Sequence, residues 1–234
     1  IALDYLKEML GKNAEFREGQ YEAIDKAVLK KKILVVQKTG WGKSVVYFIA
    51  VRLLRNQGSG PAILISPLLS LMRNQILNAE RIGIKAATIN SSNKEEWSDV
   101  YKEIKSNKCD LILISPERLA NRENMNELLE SMDNKVGCFI VDEAHCISDW
   151  GHDFRPDYRR IVSIVNSLPP NIPVISTTAT ANKRVINDIV DQLGDIEVIR
   201  GPLMRESLRI QIIKLSDQAE RLAWLAENVK KMPG

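Results

Sequence analysis

Ile33-Leu34-Val35-Val36-Gln37-Lys38-Thr39-Gly40-Trp41-Gly42-Lys43-Ser44-Val45-Val46-Tyr47-Phe48-Ile49 is the stretch that decides the fold. The apolar run 33–36 predicts a strand covered on both faces, the glycines a tight loop, and the second apolar run a helix. A helix start of this kind points free N–H groups, backed by the helix dipole, at an anion. Gly40 and Gly42 let the backbone wrap phosphate oxygens with no Cβ in the way. Thr39 and Trp41 complete the loop, Lys43 supplies a cation for the β- and γ-phosphates, and Ser44 offers a hydroxyl to magnesium. The match to G-x-x-x-x-G-K-[ST] is imperfect, because Gln37 holds the first glycine position. Read alone, the stretch is also a plain glycine-rich strand–turn–helix junction.

Ninety-nine residues after Lys43, the strand-like run 136–141 delivers Asp142-Glu143-Ala144-His145. Asp142 is placed to hold magnesium, usually through water, and Glu143 to orient and deprotonate an attacking water. His145 can hydrogen-bond across to a second element and report the nucleotide state. A lone D-E-A-H would be a helix start with an acidic first turn; following a phosphate loop, it points to an ATP-driven motor domain using ATP and Mg2+. Thr177-Thr178-Ala179-Thr180 follows another apolar run. Its hydroxyls can bridge the acidic motif to a moving loop, and can equally cap a helix starting near Ala181.

Outward from these motifs, short apolar runs alternate with longer amphipathic stretches. Strands are expected at 33–36, 62–65, 86–89, 111–114, 138–141, 174–176 and 196–199. Helices are expected near 20–31, 43–57, 69–79, 94–106, 117–131, 157–167 and 182–193, with apolar spacings of three and four such as Ile24/Val28. Alternation of this kind gives an α/β fold: a mostly parallel sheet with helices on both faces. Ligands then gather at the carboxyl ends of the strands, where both motifs fall. After Pro202 an extended run, 208–215, and a last helix, 217–230, read as an extension leaving the domain. The expected division is a motor domain over 1–201 and a C-terminal extension, the start of a linker, over 202–234.

The 234 residues have a hydrophobic content of 44% and a net charge of +3, which suits a globular α/β domain and only permits nucleic-acid binding. No run approaches the ~20 apolar residues of a membrane span. Cys109, Cys138 and Cys146 form no C-x-x-C pair and read as reduced packing residues. The chain begins at Ile1, with no initiator methionine, and is expected to be a piece of a longer protein.

On these motifs the chain resembles, over nearly its whole length, the first motor domain of RecQ-family DNA helicases in superfamily 2. Phe16-Arg17-Glu18-Gly19-Gln20 resembles the family's adenine-recognition motif, which implies that Gln20 reads the base edge with Arg17 close by. Ser66-Pro67-Leu68-Leu69-Ser70-Leu71 and Ser115-Pro116-Glu117-Arg118 resemble the two motifs that touch the nucleic-acid backbone, and Thr178-Ala179-Thr180 the coupling triplet. Asp149-Trp150-Gly151-His152-Asp153-Phe154-Arg155-Pro156 is similar to the aromatic-rich loop that senses single-stranded DNA. That gives Trp150, His152, Phe154 and Arg155 a coupling role, and bases stack on aromatic faces at roughly 1–3 kcal/mol each. The alternative reading of Trp150 and Phe154 is a buried i,i+4 pair.

The resemblance implies a RecA-like P-loop NTPase fold, 3′–5′ polarity, single-stranded and duplex DNA as partners, and a second RecA-like domain. It also implies a nucleoid location in a prokaryote or a nuclear one in a eukaryote. RecQ members usually carry glycine where Trp41 stands, so the loop is expected to have a bulky cover. They often carry an acidic residue at the position of Asn74, and proline at that of Glu18. An RNA helicase, a DNA-translocating defence or remodelling ATPase, and a catalytically silent nucleic-acid binding module remain as rival readings.

Overall fold

Strands that are apolar at every position have no face to give to solvent, so both faces of their sheet must be covered. The computed structural model of the chain satisfies this with a seven-stranded sheet: β1 (Lys32–Val36), β2 (Ala62–Ile65), β3 (Ala86–Ile89), β4 (Leu111–Ile114), β5 (Cys138–Val141), β6 (Val174–Thr178) and β7 (Glu197–Arg200). The order is β3-β4-β2-β5-β6-β1-β7, and every pairing is parallel. The structure describes all residues except 68, 91–92, 120, 134, 149–155, 180–181, 204–211 and 232–234, and leaves aside the side chains of 69–72.

Alternate strand residues feed two cores, as period-2 geometry requires. Ile33, Val35, Leu64, Leu113 and Ile140 pack with α1 (Ala2–Leu10), α2 (Gln20–Val28), α3 (Lys43–Asn56) and the end of α4 (Leu69–Glu80). Leu34, Val36, Ile63, Ile112 and Phe139 pack on the other face. Their partners are α5 (Trp97–Lys105), α6 (Pro116–Leu119), α7 (Arg122–Ser131), α8 (Pro156–Ser167) and α9 (Lys183–Leu193).

Several boundaries differ from expectation, each for a local reason. Thr177 and Thr178 belong to β6, because their backbone pairs with Val35 and Val36 of β1. The expected helix 117–131 breaks in two where the Asn121 side chain accepts hydrogen bonds from the N–H groups of Glu123 and Asn124 and starts α7. The helix expected near 94–106 opens as a 3-10 turn over Lys94–Glu96. The unexpected α1 buries Leu6 and Met9.

The chain divides into two compact units, Ile1–Leu203 and Met204–Gly234. The second holds α10 (Gln218–Asn228), capped by the Asp217 carboxylate on the Glu220 N–H. The extended run expected over 208–215 lies outside the described residues up to 211, and 212–215 form no regular element.

Candidate active site

Three neighbouring strands, β5, β6 and β1, end side by side. With strands roughly 4.8 Å apart, the acidic motif after β5 and the glycine loop after β1 are about 10 Å apart, and the threonines of β6 lie between them. Gln37 N donates to Thr178 O at 3.1 Å, and Gly201 N to Val36 O at 3.1 Å, which anchors the start of the loop on both sides.

The two loop glycines serve different needs. Gly42 has φ 97°, and a Cβ there would sit 2.7 Å from Gln20 Nε2. Gly40 has φ 81° and nothing within 4 Å of its Cβ position, so the backbone at that point faces open space. Lys43 heads α3, whose first turn carries no acidic side chain to compete for the helix dipole. Its Nζ donates to Gln37 O at 3.0 Å and lies 3.5 Å from Lys38 O. Thr39 and Ser44 flank this turn, Ser44 half-buried.

The loop is strapped to the start of α2. Gln20 Nε2 donates to Trp41 O at 2.8 Å, Arg17 N donates to Gln20 Oε1 at 2.8 Å, and the Arg17 guanidinium donates to Gly40 O. The bulky cover expected from Trp41 is turned inward: its indole is 5% exposed and belongs to the apolar cluster that includes Ile199.

Asp142 is held from every side. Its Oδ1 accepts from Thr177 Oγ1 at 2.6 Å and Glu143 N at 3.1 Å, and its Oδ2 from Gln75 Nε2 at 3.2 Å. Tyr158 OH donates to its carbonyl at 3.1 Å. Burial raises the Asp142 carboxyl above its ordinary range, while the Thr177 hydrogen bond and the charge of Lys43 act the other way. Glu143 stands in left-handed backbone with φ 52°, a strained position for a non-glycine residue. Its carboxyl is lowered, first by the hydrogen bond with His145, so it is ionised and able to accept a proton.

His145 Nδ1 lies 3.2 Å from Glu143 Oε2 and 3.1 Å from Thr178 Oγ1. Hydrogen bonding with Cys146, then with Glu143, raises it to about 10. The protonated ring thus ties the acidic motif to β6.

Asp142 and Ser44 give a carboxylate and a hydroxyl, hard oxygen donors that fit magnesium. Among the described residues no cluster of three or more His, Cys, Asp or Glu could hold a metal. Magnesium sites of one carboxylate completed by substrate phosphates and water need no such cluster.

Ser66 and Ser115 end the adjacent strands β2 and β4 in register, with Ser66 N 3.4 Å from Ile114 O. Both are buried, as is Pro116; Pro67 is half-buried. The Ser66 hydroxyl has no hydrogen-bond partner among the described residues. Nearby, Arg118 stacks on Trp97, 4.5 Å from the ring centroid. Trp150, His152, Phe154, Arg155 and Thr180 lie outside the described residues. Sequence reasoning missed Tyr47, Gln75 and Tyr158; the available signal was a polar group inside a helix that packs on apolar strands, where it must find a partner.

A family model described as DEAD/DEAH box helicase matches residues 17–189, and the chain belongs to that family. Among its relatives is ATP-dependent DNA helicase Q-like 4B of Arabidopsis thaliana, 34% identical over 90% of this chain and 18% of that protein. ATP-dependent DNA helicase RecQ of Haemophilus influenzae is 38% identical over 82% of the chain and 30% of that protein. The probable ATP-dependent DNA helicase RecS of Bacillus subtilis is 33% identical over 94% and 43%. The chain is accordingly a DEAD/DEAH box helicase domain similar to RecQ-type helicases, and it spans less than half the length of these relatives. In shape it is similar to the Pyrococcus furiosus Hef helicase domain, with TM-score 0.61 and 17% identity over 83% of this chain and 39% of that one. The DUF1998 helicase MrfA, solved bound to DNA, is similar with TM-score 0.61 and 16% identity over 83% and 29%. At such identity the likeness shows the fold alone.

Proposed function

We propose that this domain drives a 3′–5′ DNA helicase, coupling ATP hydrolysis to translocation on single-stranded DNA and to duplex unwinding. The observation that carries the reading is the meeting of Lys43, Asp142, Glu143 and His145 across three neighbouring strand ends.

Lys43 neutralises the β- and γ-phosphates, and the loop N–H groups cradle them. Ser44 and Asp142 would hold magnesium, which when bound would offset negative charge on those phosphates. Glu143, kept ionised by His145, takes the proton of the attacking water. Protonated His145 links Glu143 to Thr178, so a shift in either strand end moves the base. Arg17 and Gln20 flank the loop where the nucleotide base would lie. Ser66-Pro67 and Ser115-Pro116 contact the strand backbone, and Trp150, His152, Phe154, Arg155 and Thr180 relay that contact. The polarity, the DNA substrate and a second RecA-like domain follow from the kinship with RecQ-type helicases, as does work in the nucleoid or nucleus. No helix among the described residues is long and apolar enough to cross a membrane.

Two variants of the full-length protein test the roles. Lys43→Ala removes a charge-assisted contact of about 1.5–3 kcal/mol, so ATP should bind roughly tenfold to a hundredfold more weakly. Glu143→Gln should keep binding and lose roughly 10²–10⁴ in turnover. Equal binding losses by calorimetry would overturn the assignment. Stimulation of turnover by single-stranded DNA over RNA separates the DNA helicase from the RNA helicase.

A further inference from the structure

Tyr47 and Gln75 are buried polar side chains beside the site to which hydrolysis as described gives no task. Tyr47 lies on α3 three residues past Ser44 and is 1% exposed; Gln75 lies on α4 and is 8% exposed. A single nitrogen, Gln75 Nε2, is 3.2 Å from Tyr47 OH and 3.2 Å from Asp142 Oδ2. A string therefore runs Tyr47–Gln75–Asp142, and it ends on a residue that would hold magnesium.

Packing alone does not account for this string. A phenol and an amide in an apolar interior are costly unless bonded, and phenylalanine and leucine would fill the same space without that cost. The amide is also oriented. Gln75 Oε1 is buried with no hydrogen-bond partner among the described residues, yet the amide cannot turn it toward Asp142, because two acceptors repel. Nε2 thus faces the carboxylate, and one acceptor is left over beside the site. Thr177 on Oδ1 and Gln75 on Oδ2 together fix the plane of the Asp142 carboxylate.

We propose that Tyr47 and Gln75 are positioning residues that orient the Asp142 carboxylate for magnesium. Gln75 is carried by the helix that follows Ser66-Pro67, so strand binding at that edge reaches the metal site through this amide. The inference rests on the nucleotide-hydrolysing reading above. Outer-shell partners of metal ligands typically change metal affinity by roughly 10- to 100-fold.

The test is calorimetric titration of the full-length protein with a non-hydrolysable ATP analogue, with and without Mg2+. Gln75→Met preserves volume and removes the donor. It should leave the metal-free affinity within about twofold and lose roughly 10- to 100-fold of the gain that Mg2+ confers. Tyr47→Phe, which removes one oxygen, should shift that gain the same way by less, and the double variant should be no worse than Gln75→Met. In the wild type a single-stranded oligothymidine should change the Mg2+-dependent affinity; in Gln75→Met that linkage should vanish while oligothymidine alone binds as before. A full Mg2+ gain in every variant overturns the proposal. So does a parallel loss with and without metal, which marks a structural role. If Gln75→Met does not fold, Tyr47→Phe decides on the same criterion. A wild type whose nucleotide binding ignores Mg2+ would instead sink the hydrolytic reading itself.

Discussion

Glu143 and His145 shift each other in opposite directions, and the pH consequence follows from the signs. His145 is raised above its ordinary 6.5 to about 10, so its share of stability is whole below 6.5 and is lost as pH rises through 10. Glu143 is lowered below its ordinary 4.5, so its share is present above 4.5 and is lost as pH falls through the lowered value. His145→Gln should therefore flatten the alkaline decline, read as the urea midpoint at pH 7 and pH 10. Equal declines in both proteins would refute the pairing. The residues with chemistry at strand ends were legible, because Lys43 closes a glycine-rich loop between two apolar runs and Asp142-Glu143 end another with charge. Tyr47 and Gln75 were not, since inside a helix a polar residue looks like the wet border of an amphipathic face. Trp41 was misread for the converse reason: its place in the loop said nothing of the inward turn of its side chain.

At the level of elements, the entries to β2 and β5 are fitted backbone to backbone. A Cβ on Gly60 would lie 1.7 Å from Lys135 O, and one on Gly137 would lie 1.9 Å from Gly60 O. No side chain can swing aside there, so the strands themselves would have to move. Gly137→Ala should cost about 3 kcal/mol or more, against about 1 kcal/mol for Asn121→Ala, which removes only the cap of α7. Denaturant unfolding distinguishes the two, and similar costs would show that the glycine contact is dispensable. Strands β1, β2, β4 and β5 were legible because apolar runs of four residues are too short for helices and too continuous for loops. Helix boundaries were less so. Asn121 sits among residues with good helical spacing, and only its side-chain bonds reveal that one helix stops and another begins. In α1, a short stretch rich in charge hid the buried Leu6 and Met9.

Across the whole molecule, all three cysteines are free and buried. Burial pushes the Cys109 thiol up to about 12 and Cys138 higher still. Alkylation at pH 8 should thus follow unfolding rather than precede it, and mass spectrometry showing rapid native labelling of Cys109 or Cys138 would contradict the packing. Among the described residues one sheet carries the phosphate loop, and phosphoryl transfer gains roughly 10³–10⁵ from an arginine on the transferring group. In two-lobed helicases the second lobe supplies it. The 234-residue polypeptide alone should bind nucleotide yet fail to unwind a tailed duplex, and unwinding by it would force a different mechanism.

The tie between Gly201 and Val36 has a mechanical meaning. β7 pairs with β1 from Ile33↔Glu197 to Val36↔Arg200, and the next backbone bond, Gly201 to Val36, falls one residue before the glycine loop. Tension applied at Gly201 along β7 loads these parallel bonds in shear, all at once, instead of peeling them singly. The last rung of that ladder is also the first residue-to-residue link to Gln37. A pull on the chain leaving this strand is therefore delivered, with little slack, to the base of the loop that grips the phosphates.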